Sequence, residues 1–195
     1  GVEAFLSFMN GGTLQNIDIN TARCYVNWGG WGTVAEAAVG DGNYVITGAA
    51  DCITENIAVN DTSGSGNSRG SEANTRSVQR LVKVIAARYD GLEISTDALA
   101  LGCVVLSVVN HGLVESNRCR VIGNAVLSGP TTGISADGVT GIDSVITGNV
   151  SQVAGNPVRF QGGDNNHVAV GNRLNGALSD SGTNNTIAAN DETAF

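Results

Sequence analysis

Short apolar runs rich in β-branched residues, each closed by a Gly-Asn or Ala-Asn step, recur through the C-terminal part of the chain. They are RVIGN ending at Asn124, SVITGN at Asn149, HVAVGN at Asn172 and TIAAN at Asn190, at intervals of 25, 23 and 18 residues. Each run has the length and composition of one strand, and the glycine or asparagine after it tolerates the left-handed backbone of a sharp corner. A recurrence of this length predicts a solenoid of stacked β-coils. An asparagine amide at such a corner can bond its equivalent one coil above and below, so the four asparagines are expected to form a ladder. An antiparallel sandwich with Gly-Asn hairpins is the competing reading. It fits less well, because the segments after the asparagines do not read as tight two-residue returns.

Upstream, the pattern N-I-x-[IV]-N appears at 16–20 and again at 56–60, with Tyr44–Gly48 as a strand between them, which places the first repeat near Leu14. Strands are predicted over 81–85, 92–95 and 103–109, the last read as buried on both faces because it is nearly all valine and leucine. Two segments break the pattern. Residues 26–32 hold both tryptophans, Trp28 and Trp31, between glycines, and read as a loop whose rings either stack on a sugar, anchor a second subunit or fold back on the solenoid. Residues 61–74 are polar and Gly/Ser-rich and read as a surface insertion. The expected organisation is an N-terminal cap segment over 1–13, then an all-β parallel solenoid of seven to nine coils over 14–195.

Composition agrees with a narrow interior. Among 195 residues there are 27 glycines, 2 prolines and only 5 % aromatics, so the core must be filled by stacked Val, Ile, Leu and Ala. A net charge of −8 repels nucleic acid and anionic membrane alike, and no apolar run is long enough to span a bilayer. No export signal is read at the start. Cys24, Cys52, Cys103 and Cys119 show no zinc-type spacing and each sits in or beside an apolar run, so they are expected as core thiols. No motif calls for a cofactor or a metal.

With NTIAAND, NHVAVGNRLNG, IDSVITGNV and CRVIGNAV in view, the chain resembles the right-handed parallel β-helix proteins of the pectate-lyase-like superfamily, nearest to bacteriophage virion surface and tailspike members. The resemblance spans about 14–191 and implies the fold more strongly than any activity, since the superfamily includes polysaccharide lyases, hydrolases, epimerases and adhesins. An enzyme of this kind needs clustered carboxylates and a base. The acids Glu93, Asp97, Glu115, Asp137, Asp143 and Asp164, with Arg159, His111 and His167, are the candidates. No Asn-Thr-Asp, Asp-Asp or Gly-His-Gly motif is present. Asn110-His111-Gly112 comes nearest and reads as a turn. The sequence therefore points to a non-catalytic structural or adhesive β-helix of a phage virion, by resemblance a homotrimer working with other virion proteins, with Trp28 and Trp31 as the candidate pair for binding a surface glycan. The alternative is a lyase or hydrolase acting on a bacterial or acidic glycan with Asp137, Asp143, Asp164 and Arg159 gathered on one groove.

Overall fold

The computed structural model describes residues 2–3, 17–19, 24–27, 34–35, 44–48, 50–56, 58–60, 69–87, 89–127, 131–136 and 142–193, with strand backbone alone before residue 50 and at 58–60. Trp28, Trp31 and Asp137 lie outside these residues, as do the cap segment beyond Val2–Glu3 and most of the expected insertion. The described residues form three parallel sheets and no helix. The chain visits the sheets in fixed order, so one turn reads Arg120–Ile122 in the first sheet, Ala125–Val126 in the second and Thr132–Ala136 in the third. The next turn repeats it with Val145–Thr147, Val150–Ser151 and Asn156–Phe160, each paired in parallel with its counterpart. This is a parallel β-solenoid.

Five turns, from 78 to 180, have all three strands with their side chains described, and shorter strands continue the sheets at both ends. Seven to nine coils is more than this.

Two of the three corners are set by single residues with left-handed backbone. Between the first and second sheets the position is held by Gly102, Gly123, Gly148 and Gly171, with φ from 62° to 67°. Leu81 occupies the same corner at φ 53°, where a side chain is strained. Between the third and first sheets the corner residues are Asp51, Arg76, Asp97, Arg118, Asp143, Asn166 and Asn184, with φ between 52° and 61°. Asparagine and aspartate tolerate this region best, which accounts for most of that series.

The interior is a stack of small apolar side chains. Leu92, Leu113, Ile134 and Val158 superpose turn upon turn in the third sheet, and Val84, Val105 and Val126 do so in the second. Each such side chain contributes about 1.5–3 kcal/mol by leaving water. Among the described residues Phe160 is the largest fully buried side chain. Cys52, Cys103 and Cys119 are buried free thiols, as their apolar neighbours predict.

The asparagine ladder is present as expected. The Asn124 N–H donates to Asn149 Oδ1 at 2.8 Å, the Asn149 N–H to Asn172 Oδ1 at 3.0 Å, and the Asn172 N–H to Asn190 Oδ1 at 3.0 Å. Each side-chain amide also donates to a carbonyl of the turn before, as Asn149 Nδ2 does to Val121 O at 2.9 Å. Cys103 begins the ladder by donating its N–H to Asn124 Oδ1.

Three expectations are corrected. The 103–109 run is not buried on both faces: Val105 and Val108 point inward, Val104 and Leu106 are half-buried and Val109 is 65 % exposed. A solenoid wall has one dry face, so β-branched density there reports strand propensity rather than two-sided burial. The recurrence of N-I-x-[IV]-N does not mark equivalent positions, because Ile17–Ile19 belongs to the third sheet and Ala58–Asn60 to the second. Within 61–74, Arg69–Ala73 is a strand of the third sheet despite its polarity; Ser71 faces inward and accepts a bond from Gln79 Nε2 at 2.9 Å.

Candidate functional site on the third sheet

The third sheet has the longest strands, five residues each in His111–Glu115, Thr132–Ala136 and Asn156–Phe160. Its register aligns Glu72, Glu93, Val114, Ser135 and Arg159 in one row, alternating with inward-facing neighbours. A second row aligns His111, Thr132 and Asn156. These rows bring together side chains far apart in sequence. A groove of about 170 Å³ lies beside them, lined by Glu72, Glu93, Ile94, Ser95, Val114 and Ser116 among others.

His111 is the centre of the polar cluster. It opens a strand instead of forming a turn, and its ring Nδ1 lies 2.9 Å from Asp90 Oδ1. The same oxygen accepts the His111 N–H at 3.1 Å and Asn110 Nδ2 at 3.0 Å. An ionised carboxylate only accepts, so Nδ1 carries the ring proton and Nε2 keeps its lone pair. That lone pair faces Arg159 Nη2 at 3.1 Å, and Nη2 also donates to Ser135 Oγ at 3.1 Å. Both ring nitrogens are thus engaged. A general base needs an open lone pair within reach of a substrate proton, and Arg159 occupies the one on Nε2.

The other candidates divide between the surface and the interior. Asp143 is exposed at a left-handed corner, with φ 57°, while Asp164 is fully buried and its Oδ2 accepts the Gln161 N–H at 2.5 Å. Arg159 is half-buried on the outer face, tied to His111 and Ser135. Asp143 and Asp164 therefore do not share a solvent-facing groove. Asp97 belongs to the same corner series as Asp143, and Arg118 clasps it with Nε on Oδ1 at 2.7 Å and Nη2 on Oδ2 at 2.9 Å. That clasp holds the Asp97 carboxyl below its ordinary value. Arg76 grips Asp51 in the same bidentate way at 2.6 and 2.8 Å.

Glu115 and His167 lie inside the wall. Ser144 Oγ meets Glu115 Oε2 at 2.5 Å and accepts the Cys119 N–H at 3.0 Å. The Ser144 N–H donates to His167 Nδ1 at 3.3 Å, and the His167 N–H to Asn185 Oδ1 at 2.8 Å. The 3.5 Å approach of His167 Nδ1 to Glu115 Oε1 is longer than a hydrogen bond, and an Nδ1 that accepts from Ser144 has no proton to give, so the pair is not an ion pair. Phe160 stacks on the imidazole, centroids 5.0 Å apart. Burial pushes the Glu115 carboxyl up to about 8, leaving it neutral at pH 7. Burial likewise raises Cys103 to about 11 and Cys119 to about 12, where neither is a nucleophile.

Sequence reading missed Asp90 as the partner of His111 and the register of Glu72 beside Glu93. The signal was there: both pairs are 21 residues apart, the same interval that separates the clasped Asp97 and Arg118. Among the described residues no group of three or more His, Cys, Asp and Glu could hold a metal ion. Nor is any helix there long and apolar enough to cross a membrane. Fold and face together define a parallel β-solenoid with a polar, hydrogen-bonded outer sheet. No protein-family model matches the chain, and no curated protein or solved structure does either.

Proposed function

We propose that this chain is a non-catalytic structural or adhesive module, a right-handed parallel β-helix of a bacteriophage virion surface that decorates a capsid or forms part of a tail-spike. The observation that carries the non-catalytic reading is that His111, the side chain best suited to act as a base, has both ring nitrogens engaged by Asp90 and Arg159. The other candidate groups hold turn to turn: Asp97 in the clasp with Arg118, Glu115 and His167 in the interior ladder. Right-handedness follows from the strong preference of parallel strand connections for that hand. The virion setting, on or outside a particle with other virion proteins and as a homotrimer, comes from the resemblance of the C-terminal repeats. Trp28 and Trp31 remain the proposed sugar-stacking pair.

A second reading, a lyase or hydrolase on an acidic or bacterial glycan, is favoured by one arrangement: Glu72 and Glu93 stand side by side in register next to the groove. Two neighbouring carboxylates are what glycoside hydrolysis uses. Incubation of the purified chain with a panel of acidic polysaccharides separates the readings. Retention of a polysaccharide without new unsaturated or reducing ends is the expected result. Release of such ends, abolished by Glu93→Gln, would replace the structural reading with the enzymatic one.

A further inference from the structure

Behind the groove of the third sheet the interior is not wholly apolar. Glu115, 1 % exposed, takes the inward position that Ile94 and Ala136 fill in the neighbouring turns. Ser144 and His167 face it from the next two turns, Asp164 from the segment after Phe160, and Cys119 from the corner that follows its own strand. Glu72 and Glu93 line the groove outside.

The hydrogen bonds here suit a neutral acid. Glu115 Oε2 and Ser144 Oγ are 2.5 Å apart, and Oγ also accepts the Cys119 N–H and lies 3.3 Å from Ser116 O. A proton on Oε2 goes to Oγ and the Ser144 hydroxyl proton to the Ser116 carbonyl, so every proton has an acceptor. Glu115 Oε1 has no hydrogen-bond partner among the described residues. Ionisation would put charge on that oxygen, which a dry interior penalises far more than a neutral carbonyl. Water that could solvate it is close, because Glu115, Ser95 and Ser116 all line the groove. Cys119 Sγ bonds Ser95 O at 2.9 Å, so the thiol sits one hydrogen bond from the groove lining.

We propose that the Glu115 proton is a latch between the groove and the interior: when it leaves, the wall from Glu115 to Cys119 parts from Ser144 and admits water while the other turns stay folded. This goes beyond the structural reading above and does not depend on it. The sign follows from the two states. With the wall closed, burial holds the Glu115 carboxyl up to about 8, whereas in an open wall it returns to its ordinary 4.5. Below about pH 4.5 both states keep the proton and the latch is tightest. Between about pH 5 and 8 the open state alone gives it up, so opening grows about tenfold per pH unit and levels off above about 8.

Cys119 reports the opening, and Cys103, equally buried in the asparagine ladder, is the control. The native chain is treated with N-ethylmaleimide between about pH 5 and 8. Modification of each thiol is read by peptide mass spectrometry and divided by its rate in the urea-unfolded chain at the same pH. Cys119 is expected to react at least about tenfold faster than Cys103, at a rate that low urea leaves unchanged, since a local opening exposes little surface. Its corrected rate should climb about tenfold per pH unit, and Glu115→Gln, whose amide can still donate to Ser144 Oγ, should abolish that climb. Equal rates at Cys119 and Cys103 in the wild type overturn the latch without recourse to any variant, because only global unfolding would then expose either thiol. An unchanged climb in Glu115→Gln overturns it as well.

Discussion

At the scale of the residue, burial decides what each polar group can do. Asn149 accepts two bonds from Asn124 and gives one to Val121 O and one to Asn172 Oδ1, all inside the wall. Asn149→Ala leaves the Asn124 N–H unpaired in a dry site, and a loss of about 1–3 kcal/mol is expected in chemical denaturation. Glu115 gives the clearest pH effect. Its folded value of about 8 lies above the ordinary carboxylate value, so below about pH 4.5 both folded and unfolded chains hold the proton and there is no penalty. As pH rises toward 8 the unfolded chain alone gives it up, and the folded state loses up to about 1.4 kcal/mol per pH unit. Wild-type stability should fall across this window, and Glu115→Gln should flatten the curve. A parallel pair of curves would contradict the burial assigned to Glu115. At the surface, Arg118→Ala should let the Asp97 carboxyl rise toward its ordinary value, read by NMR titration of that carboxyl carbon.

The elements are strands of two to five residues, none stable alone, and their corners fix where each one begins. Gly148 isolates the effect of a corner: φ is 64° and an added Cβ would meet nothing within 4 Å. Gly148→Ala is therefore expected to cost about 1–2 kcal/mol from backbone conformation alone. Gly112 is the opposite case, since a Cβ there would run into the Val126 side chain and the Gly133 carbonyl. Gly112→Ala should be the more damaging in a thermal melt, by overpacking. These corners also explain what was legible in the sequence. Gly-Asn at Asn124, Asn149 and Asn172 marks both a left-handed backbone and a ladder, so the C-terminal turns could be read directly. The Asp51, Arg76, Asp97, Arg118, Asp143 series recurs at similar intervals, but only Asp97 and Asp143 stand out in the sequence, as candidate catalytic acids. The Asp90 and His111 pairing stayed hidden because contact between turns depends on register, which local pattern does not set.

For the whole molecule, the regular spacing of turns converts sequence periodicity into continuous columns: amides at one corner, alternating charges at another, apolar side chains within. Each face of the described turns is a continuous parallel sheet. The polar side chains hold turn to turn, and amide hydrogen exchange reads this out. The backbone amides of Asn124, Asn149 and Asn172 donate to side chains of the following turn and should exchange as slowly as the central amides of the sheets, by global unfolding only. Exchange of those three amides at the rate of the exposed corner residues would contradict the ladder and the architecture built on it.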